Sequence, residues 1–309
     1  MPFHKGLIAA AAFTMFAGAA QAAPEVITLE KGEYLASNEI GLTDLSGSAT
    51  WGFSKNLVSV LNVIKSGLQA VPDATLQAPT ATYGSVGSVR YVSVSATAPV
   101  TALTGSFDGS SFTLQGVQTS GGHQQVTIRN GATRGAGSLS ISDLKINLAT
   151  KTIHADIVGD HGVGFLDDHA LWKYDTVSGP TTIDLGFTGE PTALSFTNTF
   201  SGLFLVNEMD IDNILVKALN LNNVGRAAFL SVNRRSSTNT AGFGSINLTT
   251  SVTAVPEPST YALIGVGLVG LALFGRRRSS RQPAAELAGG CAAAWAAVQM
   301  PVTNSKGKS

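Results

Sequence analysis

Between Ala23 and Ala254 the apolar residues recur mostly at every second position. Ile183, Leu185 and Phe187 alternate with polar neighbours, and so do Leu194 and Phe196. A period of two puts one row of side chains on a core and leaves the other row to water, which is the pattern of half-buried strands. Leu144, Ile146 and Leu148 alternate, Ala149-Thr150-Lys151 turns the chain, and Ile153, Ala155 and Ile157 alternate again. That is a hairpin. Upstream, Leu139 and Ile141 fall on odd numbers while Leu144 starts the even series, so the phase slips at Ser142-Asp143 and predicts a bulge. Val89 to Val94 carries apolar residues on both phases and reads as a strand covered on both faces. Phe243 to Val252 reads as the last strand, with Ser251 to Ala254 as a short linker beyond it.

Two stretches leave this period. Leu57, Val60, Leu61, Ile64 and Leu68 make one helical face, with Ser54 as N-cap and Pro72 as the stop. Ile211, Ile214, Leu215, Ala218 and Leu219 make a second. The expected fold class is mainly β: an antiparallel sandwich or roll with two amphipathic helices. To it are added an N-terminal signal peptide and a single C-terminal transmembrane helix.

The N-terminal address begins with Lys5, continues through the apolar Gly6 to Ala17, and ends on Ala20-Gln21-Ala22. Such an A-x-A site predicts cleavage by signal peptidase between Ala22 and Ala23, and export. The C-terminal address is VPEPSTYALIGVGLVGLALFGRRR, Val255 to Arg278. Pro256 and Pro258 hold Val255 and Glu257 extended, a shape that a processing enzyme can grip. The uncharged run Tyr261 to Gly275 suits a helix of about 22 Å, short for a hydrocarbon core of about 30 Å. Arg276, Arg277 and Arg278 then stop the chain on the cytoplasmic side. Gly265, Gly267 and Gly270 spell GxGxxG, but no strand precedes them. They read as small residues of a membrane helix rather than as a dinucleotide site.

This order of parts resembles the PEP-CTERM sorting signal, also catalogued as an ice-binding protein C-terminal domain. The resemblance implies processing by exosortase, a membrane transpeptidase-like enzyme. Val255, Pro256, Glu257 and Pro258 would be the recognised residues and the three arginines the membrane stop. It also implies a Gram-negative, exopolysaccharide-producing cell, with passage through the inner membrane to the cell surface or extracellular space. The chain then divides into signal peptide (1–22), exported β-rich domain (23–254), sorting signal (255–278) and an Ala-rich tail (279–309) expected to be disordered.

Charge and cysteine refine this reading. The whole chain is formally neutral, but residues 23–254 hold 13 Lys and Arg against 18 Asp and Glu, a net charge of −5. A mildly acidic domain without basic clusters argues against a nucleic-acid partner. Cys291, the single cysteine, lies beyond the sorting signal, so the exported domain folds without disulfides.

Candidate chemistry is sparse. His154, Asp156, Asp160, His161, Asp167, Asp168 and His169 crowd one region. His154 and Asp156 share the solvent side of a strand, and His161 from the following loop would complete a divalent-ion site. No HExxH or DxDxDG spacing supports it, and the other reading is a solvated strand edge. Trp172 and Tyr174 alternate with Leu171 and Lys173, placing two aromatics on an exposed face able to stack on a sugar. No GxSxG is present, and the exported domain offers no cysteine for nucleophilic catalysis. Trp51-Gly52 before a helical segment, and Gly137 to Asp143 followed by Ala155-Asp156, resemble the HtaA-type haem-transport module. That family's haem-ligating tyrosine, nine residues after the Trp, is here Val60, which offers no oxygen ligand. The expectation is a non-enzymatic surface or matrix protein without cofactor, with exopolysaccharide as a partner. The competing class is a haem- or sugar-binding module.

Overall fold

The alternating stretches become strands, and the computed structural model describes residues 25–37, 40–83, 88–108, 110–185, 191–256 and 265–271. The chain opens with β1 (Glu25–Glu30), β2 (Leu35–Ser37), β3 (Ile40–Phe53) and helix α1 (Lys55–Ile64). Short strands follow: β4 (Gly67–Val71), β5 (Thr75–Gln77), β6 (Thr80–Tyr83) and β7 (Ser88–Tyr91). Next come β8 (Ser95–Phe107), β9 (Ser111–Thr119), β10 (Gly122–Thr127), β11 (Gly137–Asn147), β12 (Thr152–Gly159) and β13 (Gly164–Lys173). The last group is β14 (Thr176–Ser178), β15 (Thr182–Asp184), β16 (Thr192–Ser201), β17 (Phe204–Leu205), a π-helix (Ile211–Val216), α2 (Asn223–Asn233) and β18 (Gly244–Pro256).

One antiparallel sheet takes in all strands but β6 and β7, which pair with each other. Its main path runs β14, β16, β18, β3, β8, β9, β11, β12, β13, β17. β3 and β13 lie five strand spacings apart along that path, about 24 Å in a flat sheet. Yet the rings of Trp51 on β3 and Trp172 on β13 are 4.5 Å apart. The sheet therefore curls on itself, and the roll is the better of the two expected architectures. Phe229 and Phe243 extend the aromatic row inside it.

The predicted hairpin is β11–β12, and its bulge falls where the phase slips. Ser142 faces Asp156 and Lys145 faces His154, so two residues of β11 oppose one of β12. Asp143 takes φ 52°, and its carboxylate accepts from Gly121 N–H. In α1 the Ser54 hydroxyl accepts from Leu57 N–H, as a cap should. Leu57, Val60, Leu61 and Ile64 are buried.

The structure corrects five expectations. The first helix stops at Ile64, because Lys65 turns left-handed (φ 50°) and Ser66 N–H returns to Leu61 O. Leu68 thus belongs to β4, and Pro72 follows a strand, not a helix. The run Val89 to Val94 is not covered on both faces: Val89 and Val92 are 66% and 56% exposed, and only Val94 is buried. Trp172 and Tyr174 are core residues at 1% and 3% exposure: Trp172, near the end of β13, packs on Trp51, and Tyr174, just past that strand, packs on Phe200. The second helical face is buried at Ile211, Ile214, Leu215, Ala218 and Leu219, but the backbone over Ile211–Val216 is π-helical. Finally, Ser251 to Ala254 is no linker. β18 continues through it, with Val252 and Ala254 inside. A third helix, α2, was not predicted. Asn222 caps it, and Gly225, Phe229 and Val232 face inward.

Candidate functional site

The C-terminal address begins inside the sheet. β18 sits between β16 and β3 for most of its length. Ala254 faces Thr192 of β16 on one side and Leu42 of β3 on the other, and it is fully buried. Beyond it β16 has ended, while pairing with β3 goes on: Val255 faces Gly41 and Pro256 faces Ile40. β2 continues the same rows, with Ala36 on Gly41 and Ser37 on Ile40. The Tyr34 ring lies across Gly41, so a Cβ there would push aside the end of that exposed side chain. The extended conformation predicted for Val255 is thus supplied by a sheet as well as by the following proline.

Residues 265–271 are helical, and among the described residues no atom outside the helix lies within 4 Å of the Cβ positions of Gly265, Gly267 and Gly270. The GxGxxG glycines therefore all sit within this helix. No helix among the described residues is long and apolar enough to cross a membrane. Glu257, Pro258, Arg276, Arg277, Arg278 and most of the predicted span lie outside the described residues. So do the cleavage pair Ala22 and Ala23, and the tail 279–309.

The His- and Asp-rich region is a network that fastens the β12–β13 edge. His154 Nδ1 donates to Asp168 O at 3.0 Å, and the Asp156 carboxylate accepts from Asp168 N–H at 2.9 Å. Lys145 Nζ lies 3.0 Å from the Asp168 carboxylate, which holds that carboxyl below its ordinary range and raises the Lys145 ammonium. Two register shifts in β12–β13 flank these residues, so the network stabilises a doubly bulged ladder. His161 is elsewhere: its Nε2 donates to Ala136 O at 2.8 Å. The three proposed metal ligands are therefore not brought together. Among the described residues no group of three or more His, Cys, Asp or Glu could hold a metal ion. His169 instead reaches the buried Asp210 at 2.9 Å and ties β13 to the residue before the π-helix.

A second polar cluster was invisible to the sequence. His123 and Gln125 point into the roll from β10, at 1% and 2% exposure. The His123 ring packs on Trp51 and Phe53 at 4.8 and 5.1 Å. Gln125 Nε2 lies 3.3 Å from His123 Nε2, where it donates to a neutral imidazole. Burial pushes the His123 imidazole down to about 3, in keeping with that neutral form. The enclosed space lined by Trp51, Gln125 and Trp172 measures about 10 Å³, room for one water centre and far too little for a haem. Val60, at the position of the haem module's tyrosine, is a buried residue of α1.

Comparison with known proteins bears on the C-terminal stretch alone. The model of the PEP-CTERM protein-sorting motif matches residues 254–278. No curated protein and no solved structure matches the chain. The match opens at Ala254, the last residue of β18 paired on both sides. The chain carries a PEP-CTERM sorting motif, which implies export, exosortase processing, and a passage through the membrane to a surface or extracellular location.

Proposed function

We propose that the mature protein is a non-enzymatic component of the cell surface or extracellular matrix of a Gram-negative bacterium, associated with exopolysaccharide. Signal peptidase removes residues 1–22, and an exosortase-type enzyme then cuts near Pro258, releasing the helix, the arginines and the tail. The observation that carries this reading is the sorting motif at 254–278, continuous with the last strand of a folded β domain. The chain is the substrate. Val255, Pro256, Glu257 and Pro258 present an extended segment, the apolar helix holds it at the bilayer, and Arg276 to Arg278 prevent its being pulled through.

Intact mass of the exported protein tests this. The expected product begins Ala-Pro-Glu-Val at Ala23 and lacks Tyr261 to Ser309. A mass that retains that segment overturns the reading in favour of a plain anchor. Replacing Pro256-Glu257-Pro258 by three alanines should leave a membrane-bound precursor, because insertion needs only the helix and its charges.

A second reading, binding of a small sugar-like ligand, rests on a groove of about 740 Å³ between α1 and the β6–β7 hairpin. Ser59, Lys65, Ser66, Thr80, Arg90 and Tyr91 contribute hydroxyls, cations and a ring to its lining. Calorimetric titration with neutral and uronate-containing oligosaccharides tests it. A heat abolished by Arg90→Ala supports the groove, and no heat removes it.

A further inference from the structure

The sorting motif starts with no spacer from the fold. Ala254 is fully buried and paired on both sides, and only three residues separate it from Pro258. Val255 and Pro256 remain paired to Gly41 and Ile40. Adjacent strands lie about 4.8 Å apart, which leaves no room for the wall of an enzyme cleft between Val255 and β3. An enzyme that encloses an extended peptide must first separate these two residues from their neighbour.

We propose that the pairing of Val255 and Pro256 with Gly41 and Ile40 is a latch on processing. It must open before the enzyme can take up the motif, and Ala254 fixes how far it opens. This rests on the reading that the chain is cut at its C-terminal signal.

The two residues are built to open. They pair with β3 alone, since β16 begins at Thr192 opposite Ala254. Continuing that register puts Pro191 opposite Val255, and a proline has no N–H to offer a ladder. Pro256 likewise donates nothing to β3. A one-sided strand end with a missing donor belongs to the low-free-energy end of local opening. At Ala254 the situation reverses: opening there breaks pairing on both sides and exposes a buried row that continues into Val252. The latch is therefore two residues long. The enzyme receives the chain from Val255 onward, and the product keeps a C-terminus rooted in the sheet.

Two disulfide clamps separate the latch from the strand behind it. Both are placed in the full-length chain with Cys291→Ser, so that only the engineered pair can form, and processing is followed by pulse-chase in cells carrying the exosortase-type enzyme. The pair Val255→Cys and Gly41→Cys joins directly facing residues and should slow processing at least about tenfold, with recovery on adding reductant. The pair Thr253→Cys and Thr43→Cys, also directly facing, should stay within about twofold of the unclamped chain. Gly41→Cys alone controls for its contact with the exposed Tyr34 ring. Inserting Gly-Ser-Gly-Ser between Ala254 and Val255 should speed processing several-fold. Equal rates for the two clamps, or no recovery on reduction of the first, overturn the latch. If the unclamped Cys291→Ser chain keeps Tyr261 to Ser309, the processing reading fails first and the latch with it.

Discussion

Strands β10 and β12 both pair with β11, and they obey opposite rules. β12 turns Ile153, Ala155 and Ile157 inward, all at 0% exposure, and carries His154 and Asp156 outward. β10 turns His123, Gln125 and Thr127 inward, while Ile128 just past its end is 64% exposed. What differs is the source of the partners. The outward pair on β12 is satisfied by the neighbouring bulge, in contact with water. The inward row on β10 must find partners inside the roll. Gln125 donates to His123, and the Thr127 hydroxyl lies 2.9 Å from Leu219 O. Gln125 Oε1 is left without a partner among the described residues, so the row is only partly satisfied, and facing inward follows from the register of the backbone and not from polarity alone.

The sharpest way to break this comparison is to cut one residue from each rule. Ile153→Ala removes a fully buried side chain from β12 and should cost about 2–5 kcal/mol in chemical denaturation. Ile128→Ala, beside β10 and mostly exposed, should stay within about 0.5 kcal/mol. Similar losses at the two positions would mean that β10 is not inverted.

Acid gives the next largest effect. His123 is held neutral by burial, with its imidazole down at about 3, whereas an unfolded histidine titrates near 6.5. Below about 6.5 the unfolded chain binds a proton that the native chain refuses. The contribution of the neutral histidine is therefore complete above that pH and falls away as pH drops toward 3. Between pH 6.5 and 5 the loss should be about 2 kcal/mol. It is read as the difference between the wild type and His123→Leu, in which the other titrating groups cancel. At constant pH the cost of leaving Gln125 Nε2 unpaired is a fixed offset of about 1–3 kcal/mol. Parallel pH profiles for the two proteins would show that His123 is protonated within the fold.

The same contrast explains what the sequence revealed. The β11–β12 hairpin, its bulge at Ser142-Asp143 and the buried face of α1 were legible because apolar period and burial coincide there. In β10 they do not coincide: a strand of His, Gln and Thr reads as a solvated edge. α2 escaped because its inward row, Gly225, Phe229 and Val232, opens on a glycine that carries no hydrophobic signal. The sorting stretch was legible from composition alone, its prolines, apolar run and arginines standing in order. The strand's continuation into it was not, since Ser251 to Ala254 is short and small-sided like a linker. Its alternating burial at Val252 and Ala254 comes from the pairing with β16 and β3. His161 stands seven positions after His154 in the sequence, but a turn with φ 56° sends it to Ala136 O.

The smallest effect tests the outer face of β12. Lys145, His154 and Asp168 meet there, with side chains 41%, 30% and 48% exposed. Ion pairs open to water recover little, because solvent screens them and both side chains lose freedom. Lys145→Ala should therefore cost less than about 1 kcal/mol, and about 0.15 M salt should shrink even that. The structural readout lies elsewhere. Asp168 sits at φ 48° in the bulged ladder, held by the Asp156 carboxylate on its own N–H. Asp156→Ala removes that hold, and amide exchange at Asp168 should rise while the global unfolding midpoint hardly moves. A global loss above about 2 kcal/mol from either substitution would mean that this polar edge is part of the cooperative core. β12 would then be held from both faces, as β10 is held from within.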